Sequence, residues 1–188
     1  MKNAVIIHGT CSKEEYLSDK YPSLSNSHWL PWLQKQLLIN GIHTQTPEMP
    51  GVLNLNYESW KNELEKNDIG SESILIGHST GGGFLARWLS ENKVKIHKLI
   101  LVAPWLDPNC EETTTFFDFS FPGDILERAD EIHLLVSRDD NDDILESVRI
   151  IREGIPGISY HEFADYGHFI TKHMKTERFP ELLTLAIN

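Results

Sequence analysis

Short apolar runs alternate along the chain with stretches whose apolar positions recur at helical spacing. Continuous runs of this kind are typical of strands buried in a parallel sheet, whereas the 3.6-residue spacing is typical of amphipathic helices. A helix is predicted between a cap at Ser27 and a stop at Gly41. Six strands separated by helices predict an α/β fold with parallel pairing and right-handed crossovers. The runs that predict strands are residues 4–7, 42–46, 73–76, 98–103, 132–136 and 158–163.

The third apolar run leads directly into the pentapeptide Gly77-His78-Ser79-Thr80-Gly81, and an apolar helical pattern follows it. A strand, a sharp turn and a helix are the context that a nucleophile elbow requires. The turn holds its serine in a strained conformation, so the residues two positions away must lack side-chain bulk. Because the serine then lies at a helix N-terminus, the site favours developing negative charge. The pattern predicts a nucleophile at Ser79.

Two later loops supply the partners that a nucleophilic serine needs. The loop after the fifth predicted strand contains Asp139 and Asp140, with two more aspartates at the start of the next helix. The loop after the sixth contains His168, which can take the serine proton as a general base. One aspartate can orient the imidazole, while the others cap the helix or stay solvated. The order Ser, Asp, His is the one that the α/β-hydrolase fold uses.

Several segments spread over nearly the whole chain resemble one known family. They are residues 5–9, 28–33 with the paired tryptophans, 77–82, 101–104, 137–140 and 167–169. With these segments the chain resembles the small, lid-poor α/β-hydrolases of the YdeN-like and retinoblastoma-binding-protein-9-like group of serine hydrolases. The resemblance implies a three-layer αβα fold with a minimal lid. It also implies a mainly parallel sheet of about six strands in the order 2-1-3-4-5-6.

The resemblance also implies roles for individual residues. Ser79 corresponds to the nucleophile and His168 to the base, and the acid falls in the pair Asp139 and Asp140. The family pattern aligns Asp140 with the acid. This chain departs from that pattern, because Asp142-Asp143-Ile144 stands where an aliphatic residue and a proline are expected. Asp139 therefore stays open as the alternative acid.

Two backbone N–H groups are candidates for an oxyanion hole. One belongs to Thr80, directly after the nucleophile, and the other to Thr10, in the loop after the first predicted strand. Together with the serine, aspartate and histidine, they predict acyl transfer through a serine-bound intermediate. The expected substrate is a small carboxylic ester, amide or thioester. The alternative is a protein-interaction module that keeps the hydrolase scaffold with little or no turnover.

Length, net charge and cysteine content limit the domain number, the binding partners and the cellular location that we expect. The 188 residues fit a single domain spanning 1–188, and the net charge of -11 argues against nucleic acid or an anionic membrane as a partner. The two cysteines form no Cys-x-x-Cys pair and no leader segment is apparent, so a cytoplasmic location is expected. No cofactor or metal is expected, because no metal-ligand motif is present. The oligomeric state is left open.

An aromatic-rich connection runs from about residue 105 to 128. Its aromatic side chains can either wall a substrate pocket or form a small apolar cluster that covers the sheet, and the sequence does not decide between these alternatives. His8 and His78 flank the expected site and are predicted to pack around it. His28 is predicted to lie at the surface or to be partly buried.

Overall fold

One parallel sheet organises the part of the chain that the computed structural model describes, residues 2–112 and 114–188. Its order is β2-β1-β3-β4-β5-β6, and every neighbouring pair of strands is parallel. This confirms the α/β fold and the strand order 2-1-3-4-5-6. The strands are β1 (Asn3–Ile7), β2 (His43–Gln45), β3 (Ser73–His78), β4 (Ile96–Val102), β5 (Ala129–Ser137) and β6 (Ser159–Phe163).

Seven α-helices connect or follow the strands within the described residues. None of them is both long enough and apolar enough to cross a membrane. They are α1 (Lys13–Tyr16), α2 (Leu30–Ile39), α3 (Tyr57–Leu64), α4 (Thr80–Glu91), α5 (Asp142–Gly154), α6 (Thr171–Met174) and α7 (Pro180–Ile187).

The predicted cap at Ser27 is wrong. Helix α2 begins at Leu30 with Trp29 at its N-cap position, whereas Ser27 ends a short 3₁₀ turn over Leu24–Asn26. The Ser27 hydroxyl donates to the carbonyl of Ser23, at 3.1 Å, so it is already used by that turn. His28 then takes a left-handed φ of 58°, which separates the turn from the helix.

The sheet is wound so that helices cover both of its faces. From β1 the chain moves to one side of the sheet to form β2, and from β2 onward it moves to the other side. Because the crossovers are right-handed, this reversal places the connecting helices on opposite faces of the sheet. Helix α2 packs beside α7 on one face, and α3 packs beside α4 on the other. The carboxyl ends of all six strands therefore open at one edge, where sites form in sheets of this kind.

An aromatic cluster fills the face that α3 and α4 cover. Trp60 is fully buried, with its ring centre 5.4 Å from that of Phe84 and 5.1 Å from that of Phe116. Phe116 comes from the aromatic-rich connection, and its neighbour Phe117 packs on Trp105 with ring centres 5.3 Å apart. These residues of the connection therefore belong to the core that covers the sheet. They do not line the cavity above Ser79.

Candidate active site

Ser79 occupies the sharp turn between β3 and α4. Its backbone has φ 54° and ψ −123°, a region that costs free energy for any residue with a side chain. Two hydrogen bonds hold it there: its N–H donates to the carbonyl of Val102, and its carbonyl accepts from the N–H of Trp105, both at 3.0 Å. The neighbours of Ser79 in β4 and the following loop thus maintain the strained turn.

The glycines of the pentapeptide are required by close backbone contacts. A Cβ atom on Gly77 would lie 2.5 Å from the carbonyl oxygen of Gly81, and one on Gly81 would lie 2.5 Å from the carbonyl oxygen of His8. Gly9 faces Ser79 in the same way, because its Cβ would lie 2.8 Å from that of Ser79. The prediction that these turn positions must lack side-chain bulk is confirmed for Gly77 and Gly81.

His168 lies between Ser79 and Asp140. Its Nε2 is 2.9 Å from the Ser79 Oγ, and its Nδ1 is 3.1 Å from each carboxylate oxygen of Asp140. An ionised carboxylate only accepts hydrogen bonds, so Nδ1 carries the proton of the neutral ring. Nε2 is then an acceptor for the Ser79 hydroxyl. The structure brings these three residues, which are far apart in sequence, into one hydrogen-bonded row.

The two candidate acids have different surroundings. The Asp140 side chain is fully buried and faces His168, and its Oδ1 also accepts from the N–H of Asn141 at 2.8 Å. Asp139 is exposed and accepts from the Ser137 hydroxyl and from the N–H of Gly167, the latter at 2.9 Å. The hydrogen bond from Ser137 holds the pKa of Asp139 below its ordinary value. Asp139 therefore ties the loop after β5 to the loop that carries His168.

Thr10 and Thr80 lie side by side next to the nucleophile. Thr80 is the first residue of α4, so its N–H has no acceptor within the helix. Thr10 follows β1, and its hydroxyl is 2.9 Å from that of Thr80. This hydroxyl pair fixes the two backbone segments relative to each other, a contact that the sequence did not reveal. Both segments border Ser79, as an oxyanion hole requires.

The sequence profile of the Hydrolase_4 family, described as serine aminopeptidase, S33, matches residues 56–187, well over half of the chain. The chain belongs to this family. A Bacillus subtilis (strain 168) protein named "Putative hydrolase YdeN" is 26% identical over 166 residues, covering 85% of this chain and 87% of the relative. The predicted resemblance to YdeN-like hydrolases is thereby confirmed.

Solved structures agree on the fold. The crystal structure of the ydeN gene product from B. subtilis matches with a TM-score of 0.79 and 23% identity, covering 98% of this chain and 96% of that chain. An alpha-beta serine hydrolase homologue from Coxiella burnetii matches with a TM-score of 0.64 and 17% identity, covering 99% and 83%. Together with the family match, this fold makes the chain a hydrolase of the α/β serine hydrolase superfamily.

Buried histidine and tryptophan side chains hold the loops of the site in place. His78 donates from Nε2 to the carbonyl of His168 at 2.8 Å, and the Trp29 indole N–H donates to the carbonyl of Phe169 at 3.0 Å. His8 bridges two further segments: its Nδ1 lies 2.6 Å from the carbonyl oxygen of Gly9, and its Nε2 accepts from the N–H of Met49 at 2.8 Å. His8 and His78 therefore pack around the site as expected.

A small cavity of about 50 Å³ opens above Ser79. His28 lines it together with Ser79 and His168. His28 is partly buried, as predicted, but its place at the site was not predicted. In the sequence, His28 directly precedes Trp29, one of the paired tryptophans of the family resemblance. The hydrogen bond from Trp29 to Phe169 brings this segment next to the His168 loop. The remaining lining residues are His8, Gly9, Thr10, Leu24, Ser27, Leu30, His78 and Ile170.

The neutral histidines predict a loss of stability in mild acid. Burial, reinforced by His168 and His28, lowers the pKa of His78 well below its ordinary value, and burial also lowers that of His8. The unfolded chain takes up these protons below about pH 6.5 while the folded chain does not, so the free energy of unfolding falls as pH drops from 6.5. For His78, whose pKa is lowered the furthest, this loss amounts to about 2 kcal/mol at pH 5, and His8 adds to it in the same direction.

The measurement is urea unfolding at pH 7.5 and pH 5.0 for the wild type and for His78→Gln. Glutamine can keep a donor near the His168 carbonyl without titrating, so the fall in stability between the two pH values should shrink by about 2 kcal/mol. His43→Gln, at an exposed position in β2, is the control and should leave the pH dependence unchanged. An equal fall for wild type and His78→Gln would contradict the assignment of His78 as a buried neutral ring.

Proposed function

We propose that the protein is a serine hydrolase that cleaves a small carboxylic ester, amide or thioester through an acyl-enzyme on Ser79. The observation that carries this proposal is the hydrogen-bonded row of Ser79, His168 and Asp140 at the carboxyl edge of the sheet. The family description and the name of the Coxiella homologue, a serine hydrolase, support the same reaction class.

In the proposed mechanism, the Ser79 oxygen attacks the carbonyl carbon of the substrate while Nε2 of His168 takes the hydroxyl proton. Asp140 stabilises the resulting imidazolium through Nδ1. The negative oxygen of the tetrahedral intermediate accepts from the N–H groups of Thr80 and Thr10. His168 then protonates the leaving group as the bond to it breaks, which leaves the acyl group on Ser79.

The second half of the reaction uses the same groups. His168 takes a proton from water as the water oxygen attacks the acyl carbon, and it returns that proton to Ser79 as the ester bond to the enzyme breaks. The products are a free acid and the alcohol, amine or thiol released in the first half. The small cavity above Ser79 favours a short acyl group. A larger neighbouring cavity of about 300 Å³ shares Leu24 as a wall and offers space for a second part of the substrate.

The test is labelling of the folded protein with a fluorophosphonate, followed by peptide mass spectrometry. We expect one adduct, on Ser79, because the reagent requires a serine activated by a base. Ser79→Ala and heat-unfolded protein should remain unlabelled. Folded wild-type protein that stays unlabelled, or that carries the adduct on another serine, would contradict the proposal and favour an interaction module on this scaffold.

A further inference from the structure

His28 stands at the cavity in a conformation that few histidines adopt. Its φ of 58° lies in the left-handed region, where a residue with a Cβ persists only when its surroundings hold it. Its ring packs edge-on against His78, with ring centres 6.2 Å apart. Strained residues of this kind cluster at sites that bind ligands. The ring of this strained residue lines the cavity that contains Ser79.

The hydrogen bonds of His28 determine which ring nitrogen carries the proton. The backbone N–H of Thr171 donates to Nδ1 at 3.3 Å, so Nδ1 has no proton and Nε2 has one. Within residues 2–112 and 114–188, Nε2 makes no hydrogen bond. It is also not fully buried, because it is absent from the buried polar atoms that lack a partner in these residues. Its N–H is therefore accessible, on a ring that lines the cavity.

The ring is neutral at physiological pH. Burial, together with the nearby rings of His168 and His173, lowers the pKa of His28 to about 4. A neutral imidazole donates one hydrogen bond from Nε2 and does not attract an anion as a cation would. It is therefore suited to a neutral acceptor, such as an ether, hydroxyl or keto oxygen.

The other side chains of the cavity offer little competition for this role. Leu24, Leu30 and Ile170 are apolar, and the Ser27 hydroxyl donates to the carbonyl of Ser23. Both ring nitrogens of His8 are occupied. The Thr10 hydroxyl pairs with that of Thr80, and the N–H of His78 donates to the carbonyl of His168. Among the described residues, His28 is thus the one imidazole of the wall outside the catalytic row that has a donor to spare.

We propose that His28 binds substrate by donating from Nε2 to a neutral oxygen in a short acyl group, and so selects oxygenated acyl groups over hydrocarbon ones. The proposal rests on the proposed function, because it assigns the substrate class of the same site. It makes His28 a specificity-determining residue, whereas the bond-making steps remain with Ser79 and His168.

The experiment compares 4-nitrophenyl methoxyacetate with 4-nitrophenyl butyrate, in which a methylene replaces the ether oxygen. Each kcat/KM is divided by the hydroxide-catalysed rate constant of that ester, which removes the difference in intrinsic reactivity. We expect the wild type to favour the methoxyacetate about fivefold, the effect of one neutral hydrogen bond. A normalised ratio near one in the wild type overturns the proposal without the need for any variant.

Two substitutions separate the roles of the two ring nitrogens. In His28→Asn the amide oxygen can replace Nδ1 as acceptor for Thr171, and asparagine tolerates the left-handed backbone, but the distal donor is lost. In His28→Gln the longer side chain can place an N–H near the position of Nε2. We expect the ratio to fall to about one in His28→Asn through loss of methoxyacetate hydrolysis, and to recover at least partly in His28→Gln.

The outcomes are distinguishable. Equal losses for both esters in His28→Asn would indicate a purely structural role and overturn the proposal, as would an unchanged ratio. His43→Asn, on the exposed surface of β2, is the matched control and should keep the wild-type ratio. Labelling of Ser79 and hydrolysis of the butyrate ester test the proposed function separately, so the specificity of His28 can fail while the hydrolase assignment stands.

Discussion

Ser79→Ala is expected to lower kcat for hydrolysis of short 4-nitrophenyl esters by about 10⁴- to 10⁶-fold. Alanine removes the Ser79 oxygen, which lies 2.9 Å from Nε2 of His168, so no acyl-enzyme can form on this residue. The remaining groups of the site still bind and polarise the carbonyl, which leaves a small residual rate above the uncatalysed one.

His168→Ala should produce a loss of similar size, and the double variant should be hardly slower than either single variant. The serine and the imidazole act as one unit, so removal of either one eliminates the same step. The measurement is kcat/KM on purified proteins, with protein concentration taken from absorbance and folding checked by circular dichroism. Ser71→Ala, an exposed serine outside the site, is the matched control and should retain wild-type activity. A Ser79→Ala protein with wild-type kcat/KM would rule out the acyl-enzyme.

Features encoded by local sequence could be predicted well. Strand β3 is a continuous apolar run because both faces of the sheet are covered there, and the glycines at 77 and 81 follow from close contacts within one turn. The chain order of Ser79, Asp140 and His168 added long-range information, because the carboxyl ends of parallel strands converge at one edge of the sheet. The order of the strands in the sheet was predicted from the family resemblance, because the apolar pattern does not indicate which strands are neighbours.

Features that depend on contacts between distant segments could not be predicted. Serine is a common residue at helix N-caps, but the Ser27 hydroxyl donates to the preceding turn, and the left-handed backbone of His28 separates that turn from the helix. His28 itself is held by Thr171, which lies 143 positions further along the chain. The position of Phe116 in the core likewise depends on Trp60, a contact that no local pattern reports. These three contacts become apparent only in the folded structure.

The choice between Asp139 and Asp140 also depends on contacts between distant segments, and it leads to the other large predicted effect. Asp140→Asn is expected to lower kcat by about 10³- to 10⁴-fold while leaving the fold intact. An asparagine amide can donate to Nδ1 of His168, which would favour the tautomer that carries its proton on Nε2. That ring cannot accept the Ser79 proton, so the nucleophile loses its base although every heavy atom stays in place.

Asp139→Asn is the matched comparison, because it makes the same chemical change one residue away. Its amide oxygen can still accept from the N–H of Gly167, so the loop of His168 should keep its position and kcat should fall less than about tenfold. Thermal unfolding of both variants checks that the fold survives, and kcat/KM on one ester separates them. Because the two side chains share a loop, a general disturbance of that loop would affect both variants. A large loss confined to Asp139→Asn would instead assign the acid to the exposed carboxylate, against the 3.1 Å contacts between Asp140 and His168.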